Sequence, residues 1–467
     1  MMRMVSILSA IPSRTLSKSE QAIAPQARPA PLPIALGVTG LPDASDMHRA
    51  WWFWALLALR RLAALLAAAC AAGPMVAVEL GPIPLGVLYL AALPWRWREA
   101  AAILREPLFW AIWLWAAWIT LSFLWTPDLS KGVWELGTSR FAWVALALYT
   151  ELRSRRALIV ALMAGFLLTN LSQAALAIVR AAGWHALDFN PHFPDRNPGW
   201  WVHPAVCGYM FVAALGLHLP VALRARSLAA WGARLALLLT WAGIFATGTR
   251  GAMISGLLLC AFAGVFEFFR RWRLGTRPLR ARLAVGAGIT LALASLGATL
   301  AVASEHPGRR IREGVVEVRR VIVERDVSTF TGARVQFALW AWELWTQHPV
   351  RGVGAGGYEQ AVRSMLEARA EAPRTPHIAP QAHNGPLHAA ATLGLVGLAL
   401  FVSIAFIALR ASVRLAHLPG AIPLDASPAW ALVGVVLILP FDVPYVNSPP
   451  AALLAVLFAL SLRGPAR

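Results

Sequence analysis

Charge is scarce in this sequence. Aspartate, glutamate, lysine and arginine together make up 14% of its 467 residues, where a soluble domain usually carries about a quarter. That deficit, with a hydrophobic fraction of 58% and a mean hydropathy of +0.59, excludes a soluble globular protein of this length. Cysteine is rarer still, with Cys70, Cys207 and Cys260 the only three. Their number is odd, their spacing suits no metal, and each falls in or beside an apolar run. No disulfide framework and no metal site is expected. P-loop, H-E-x-x-H and G-x-S-x-G motifs are missing from any usable setting, as is an aspartate pair of the kind that holds a metal for nucleotide-sugar chemistry. Near the start, Met4 to Ile11 is too short and weak an apolar stretch for a signal peptide.

What is present is a series of apolar runs punctuated by arginine. The formal net charge is +19, which by itself would suit nucleic acid. The arginines instead sit between apolar spans, the pattern of membrane topology signals, so nucleic acid is excluded as a partner. Many of the 22 tryptophans lie near span ends, where indole favours the interface. The expected fold is all-α: a polytopic membrane protein of about twelve transmembrane helices with one large helical loop. The segments fall near residues 57–78, 81–95, 108–125, 138–151, 157–180, 204–223, 235–247, 252–268, 283–303, 386–410, 429–445 and 449–462. Residues 1–48 read as a disordered cytoplasmic tail, 49–303 as transmembrane helices 1–9, 304–385 as an outer loop, and 386–467 as helices 10–12.

Orientation follows from the basic loops. Arg96, Arg98 and Arg105, then Arg153, Arg155 and Arg156, then Arg224, Arg226 and Arg234, then the cluster from Arg270 to Arg282 mark the cytoplasmic side. Both termini then lie inside and the 304–385 segment outside, in the periplasm of a bacterium with two membranes. Within that loop, Val335, Leu339 and Trp342 fall on one helical face over 334–346, with Trp345 adjoining. A second helix is expected from Tyr358 to Ala370. Gly352 to Gly357 fits G-x-G-x-x-G by letter, but no strand precedes it. It reads as a flexible turn rather than a nucleotide site.

Five residues stand out chemically. Arg250, in Thr247-Gly248-Thr249-Arg250-Gly251, occupies a tight outer turn where the positive-inside bias gives an arginine no advantage. A planar guanidinium there suits a phosphate; snorkelling to lipid headgroups is the alternative. Arg334 is expected to open the loop helix, an electrostatically unfavourable end for a cation, and to share an anion with Arg250. Arg140, in Gly137-Thr138-Ser139-Arg140, is a third candidate, with snorkelling the competing role. His383 lies where the polar loop meets an apolar span, and its neutral imidazole is an available base. Asn384 follows it as a positioning residue, and the pair opens the pattern His-Asn-x9-Gly-x-x-Gly that ends at Gly394 and Gly397. His203, His348, His377 and His388 are read as structural.

Together these features resemble the O-antigen ligase and polymerase superfamily of bacterial membrane glycosyltransferases. The resemblance covers about residues 235 to 410. It rests on Thr247 to Gly251, on Arg334 before Phe337-Ala338-Leu339-Trp340, on His348-Pro349-Val350-Arg351-Gly352-Val353-Gly354, and on His383-Asn384 through Gly394 and Gly397. It implies a GT-C-like membrane enzyme of the O-antigen ligase type, working without metal or other cofactor in the inner membrane. The implied donor is a glycan on undecaprenyl diphosphate, and the acceptor a hydroxyl of the lipid A–core oligosaccharide. By the same resemblance, Arg250 and Arg334 match the arginines that hold the donor diphosphate. His383 matches the essential histidine and is the candidate base. Membrane lipids are the remaining partners, and no obligatory protein partner is implied. The alternatives are an O-antigen or exopolysaccharide polymerase, a protein O-oligosaccharyltransferase, and, from another class, a lipid-linked sugar transporter.

Overall fold

The computed structural model describes residues 44–181, 199–201, 203–225, 227–273 and 305–464. The chain divides into Met1–Phe53 and Trp54–Arg467, and everything discussed below, the start of the first helix apart, lies in the second unit. Every described element is helical. In chain order the α-helices are α1 (Ala44–Cys70), α2 (Met75–Leu80), α3 (Ile83–Ala101), α4 (Pro107–Ser122), α5 (Leu129–Thr138), α6 (Ala142–Tyr149), α7 (Arg155–Ala181), α8 (Pro204–Arg224), α9 (Leu228–Thr247) and α10 (Arg250–Arg273). After a stretch outside the described residues come α11 (Glu305–Arg319), α12 (Phe330–Gln347), α13 (Tyr358–Ala368), α14 (Gly385–Leu415), α15 (Ser427–Ile438) and α16 (Ser448–Ser461).

This is an integral membrane protein. Among the described residues, six helical stretches are long and apolar enough to cross a bilayer: Met75–Arg105, Leu152–Leu176, Pro204–Arg224, Leu228–Thr247, Arg250–Arg270 and Gly385–Leu415. Three shorter apolar helices accompany them, Pro107–Ser122, Pro423–Ile438 and Ser448–Ser461. The expected count of about twelve is thus not supported among the described residues. The segment at 138–151 is broken into a 3-10 turn, Ser139–Phe141, and the eight-residue α6, far short of the roughly 20 residues a span needs. The segment at 429–445 stops at Ile438, because Pro440 and Pro444 cannot donate to a continuing helix. The segment at 57–78 is cut after Cys70, ahead of Gly73 and Pro74. The one expected at 283–303 lies outside the described residues, as does the 1–43 part of the expected tail.

Helix α8 is the axis of the bundle. From Pro204 to Ala222 every residue is buried, so the helix is apolar all round and is sheathed by protein rather than lipid. Its small residues admit close neighbours. A Cβ at Gly216 would lie 2.3 Å from the Trp430 carbonyl oxygen of α15, the small-residue packing that replaces hydrophobic driving force inside membranes. Lipid-facing surface is supplied elsewhere, for example by exposed Trp110, Trp113 and Leu114 on α4.

Helix α14 is interrupted. Gly394 has φ +67° and ψ −164° inside the helix, a conformation that L side chains avoid. The freed backbone groups are met by the 349–354 segment. Val353 N–H donates to Ala391 O at 2.9 Å and Gly354 N–H to Thr392 O at 2.8 Å, while Leu395 N–H donates to Pro349 O at 2.8 Å. Trp118 Nε1–H of α4 takes the Leu393 carbonyl at 2.9 Å. On its far side the segment is fastened to the end of α4, where Ser122 Oγ accepts from Ala355 N–H at 3.0 Å. Thr126 Oγ1 donates back to the Ala355 carbonyl at 2.6 Å. The glycine run is thus not the flexible turn the sequence suggested. It is a wedge held between two membrane helices, and its glycines allow backbone to touch backbone.

Around this wedge the loop builds a core of its own from Phe337, Trp340, Ala341 and Leu344 of α12, Tyr358, Val362 and Leu366 of α13, and Ala391 of α14. The buried face of α12 is therefore not the expected one. Val335, Leu339 and Trp342 are 40%, 55% and 52% exposed. The helix also begins earlier than expected, capped by the Thr329 side chain accepting from Gly332 N–H at 3.0 Å. Arg334 then stands in the second turn rather than at the start, which removes the argument from an unfavourable helix end.

A methyl group at Gly394 would sit 2.1 Å from the Val350 carbonyl oxygen, on top of the left-handed strain. The variant Gly394→Ala is expected to lose about 1–3 kcal/mol of stability. Thermal melting in detergent checks this, and Gly264→Ala, where a methyl meets nothing within 4 Å, is the control expected to melt like wild type.

Candidate functional site

One face of α12 carries Thr331, Arg334 and Phe337, spaced three residues apart so that they rise along the same side of the helix. Each meets a different partner. Thr331 meets Arg250, the first residue of α10: Arg250 Nη1 donates to Thr331 Oγ1 at 3.2 Å. Arg334 is half-buried, and its charge reaches Asp442. Among the described residues it carries no hydrogen bond or ion pair. Phe337 stacks on the His383 ring, with centroids 5.8 Å apart and planes at 30°. Arg250, Arg334 and His383, separated by long intervals in the chain, are thus gathered along a single helix face.

His383 is shaped by what surrounds it. Its φ is +49°, an uncommon left-handed backbone for a non-glycine residue. Asn384 follows as the N-cap of α14, its Oδ1 accepting from Leu387 N–H at 3.1 Å and its Nδ2 donating to Pro440 O at 3.4 Å. Gly385 N–H donates to Leu439 O at 2.7 Å, and Tyr445 Oη donates to Gly385 O at 3.1 Å. Residues 384–385 are therefore stitched to the 439–445 turn, which delivers Asp442 to the imidazole. His383 Nδ1 lies 3.1 Å from Asp442 Oδ1, with the two side chains 26% and 8% exposed. From the other side, buried His388 accepts the Ala382 N–H on Nδ1 at 3.4 Å and places Nε2 3.2 Å from Glu135 Oε1. His388 is thus a structural prop, as expected, and it supports the residue next to His383.

Asp442 also takes the Tyr209 hydroxyl of α8 and the Val443 N–H at 2.8 Å. Burial alone would raise its carboxyl pKa. The hydrogen bond and charge of His383, the charge of Arg334 and the Tyr209 hydrogen bond outweigh that and bring it down to about 2. An ionised Asp442 accepts, so His383 Nδ1 carries the proton and Nε2 presents a lone pair. The other anchor is Arg250, 20% exposed, which binds Glu317 of α11 with Nη1 at 2.8 Å and Nη2 at 3.1 Å. A side chain at Gly251 would collide with Phe441, so the Arg250 turn and the Asp442 turn abut.

Arg140 is not drawn into this group through any shared partner. It pairs with Glu79 of α2, reaches Ser448 Oγ at 3.1 Å, and lies 4.6 Å from the Phe141 ring centre. Those contacts tie α2 to the start of α16. Asn384 spends its side chain on helix capping. Sequence reasoning missed Asp442, Tyr209, Thr331 and Glu317. Asp442 had left a trace: a lone carboxylate in an apolar run between Pro440 and Pro444, a position that in membranes marks function. Beneath the same turn, a cavity of about 140 Å³ opens between α4, α6, α14, α15 and α16. Its lining is almost entirely apolar, including Trp115, Phe141, Phe401, Val436 and Phe458, with Tyr445 and Thr138 among its few polar members.

The depressed Asp442 pKa has a pH signature. A carboxyl near 3.9 when unfolded and near 2 when folded stabilises the fold fully above about pH 4, and that contribution is lost as pH falls through 4 to 2. The stability difference between wild type and Asp442→Asn is expected to shrink as pH falls through that window. Melting curves of the two proteins in detergent across pH 2.5–8 measure it.

No curated protein matches the chain. Residues 235–402, which include Arg250, Glu317, Thr331, Arg334 and His383 but stop short of Asp442, match the family model described as O-antigen ligase. That match supports an O-antigen ligase-type reading of this segment and, in general terms, a glycosyltransferase-type enzyme.

Proposed function

We propose that this protein is an O-antigen ligase that moves a glycan from undecaprenyl diphosphate to a hydroxyl of lipid A–core, by inverting transfer without a metal. The observation that carries the reading is the α12 face, which sets Arg250, Arg334 and the His383–Asp442 pair beside one another. In this reading 304–385 is a periplasmic domain, both termini are cytoplasmic, and the enzyme sits in the inner membrane with its site at the outer surface. The apolar cavity beside Pro444 and Tyr445 takes part of the donor's prenyl chain, leaving the diphosphate at the polar rim.

The chemistry then needs one displacement. The acceptor oxygen bonds to the anomeric carbon as the bond from that carbon to the diphosphate oxygen breaks, and the electron pair leaves with the diphosphate. Guanidinium groups of Arg250 and Arg334 stabilise that charge as it develops, an effect worth several kcal/mol in a site shielded from water. The acceptor proton passes to His383 Nε2. The resulting imidazolium is stabilised by ionised Asp442, which also keeps the ring in the tautomer that exposes Nε2. Phe337 holds the ring plane. A single displacement inverts the anomeric configuration.

The His383→Ala variant is expected to lose about 100- to 10,000-fold in kcat while keeping wild-type affinity for the lipid-linked donor. Purified protein incubated with lipid-linked glycan and lipid A–core provides the assay, and full activity in the variant overturns the role of His383. The same assay separates the alternatives. Lengthening of the lipid-linked chain in place of transfer to lipid A–core identifies a polymerase. Transfer to serine identifies a protein glycosyltransferase, and movement across vesicles without bond cleavage identifies a transporter.

A further inference from the structure

The Glu317 side chain occupies a cradle with more donors than one ion pair requires. Its Oε2 accepts from Arg250 Nη1 at 2.8 Å, from Thr331 N–H at 2.9 Å and from Thr331 Oγ1 at 2.7 Å. Its Oε1 accepts from Arg250 Nη2 at 3.1 Å. Glu313, one turn earlier on α11, lies 3.4 Å from the same guanidinium. A planar fork, a hydroxyl and a backbone N–H in the first turn of a helix form the donor set that grips a phosphate group.

We infer that Glu317 is an internal stand-in for phosphate: its carboxylate fills a cradle made by Arg250 and Thr331, and the donor's diphosphate binds there by displacing it together with α11. The inference rests on the reading that Arg250 holds the donor. It adds Thr331 as a ligand for the diphosphate and makes α11 a lid over the site.

The physical argument has three parts. The first is exclusion. The carboxylate and a phosphate need the same hydrogens of Arg250 and Thr331, and two anions held at one guanidinium repel each other. Protonation offers Glu317 no escape at neutral pH. Burial would raise its carboxyl pKa, but the bonds from Arg250 and Thr331 outweigh burial and hold it below the usual range. The second is mobility. Val315, Val316 and Val318 of α11 are all exposed, so these three side chains bury little apolar surface against the protein, and the polar contacts of Glu313 and Glu317 weigh heavily in holding the helix over Arg250. The third is the joint. After Arg319 the chain makes a π-helical turn, Arg320–Glu324, and then Arg325 adopts φ +52°, features common where helices hinge. A lid of this kind keeps Arg250 paired when no donor is present, and imposes on every bound anion the cost of releasing Glu317.

Binding of farnesyl diphosphate, a soluble lipid diphosphate, tests the idea by calorimetry on the purified full chain. Glu317→Gln is expected to bind it about fivefold more tightly than wild type, the release of roughly 1 kcal/mol of competition. In that background, Thr331→Val is expected to weaken binding by about fivefold or more, since a hydrogen bond to a charged group is lost without a compensating loss from the competitor. Unchanged or weaker binding by Glu317→Gln overturns the inference. Arg250→Gln, made in the Glu317→Gln background where no competitor is weakened with it, separates this from the parent reading. If that double variant binds like Glu317→Gln alone, Arg250 does not hold the diphosphate and the parent reading fails. If it binds more weakly while Glu317→Gln matches wild type, only the stand-in fails. Hydrogen exchange on the unmodified protein is independent of any variant's folding. Adding farnesyl diphosphate is expected to speed exchange across residues 305–319 and to slow it at Thr331, and no change at α11 overturns the lid.

Discussion

A helix broken within the apolar layer must find partners for the backbone groups it releases, because no water is there to take them. The break at Gly394 finds them in residues 349–354 and in the Trp118 indole. That one requirement organises the functional half of the molecule. It fastens residues 349–354 to α14, so α12 and α13 are mounted on a long apolar helix instead of hanging from a loop. It sets the register between α12 and the start of α14, which brings Phe337 over His383. The glycines of the 352–357 run are there for contact. Gly352 lies against the backbone of Thr392, and Gly354 and Gly356 lie against Thr126 and Lys131.

On that mount the site is an arrangement of opposite charges, most of them partly buried. Asp442 is almost enclosed and is held ionised by a histidine, an arginine and a tyrosine drawn from three separate segments. Arg250 is matched by carboxylates of α11. Buried charges of this kind are expensive unless paired, which accounts for the acidic groups that lie a few ångströms from these cationic ones. In a proton-transfer role the same pairing serves twice, fixing the tautomer of His383 and stabilising its protonated form.

The amino-acid sequence revealed a helical membrane protein and singled out Arg250, Arg334 and His383, which the fold brings to one face of α12. Hydropathy exposes a membrane protein because every apolar run adds to it. It does not count helices, because a run of apolar letters says nothing about where Arg140, Pro440 or Pro444 ends a helix. Arg250 and His383 were legible because each is a polar residue at a junction where an apolar segment begins. Asp442 was not recognised, since its partner lies 59 residues away and only the fold joins them. Glu317 was hidden among arginines. The face of α12 was misread for a different reason. In a protein bathed in lipid, an apolar stripe can point outward, so Val335, Leu339 and Trp342 look like a core and are not. Periodicity reports that a helix is two-sided and leaves open which side is inside.

Helix α8 is enclosed on every flank, yet one of its walls is α15, encoded two hundred residues later. During synthesis that flank faces lipid until the final segments arrive, and exchanging lipid for protein there gains mainly close fit, as at Gly216 against Trp430. The carboxylate that meets both Tyr209 of α8 and His383 emerges in the same late stretch. The contacts of Tyr209 and His383 with Asp442 are therefore completed only once the turn after α15 has been made.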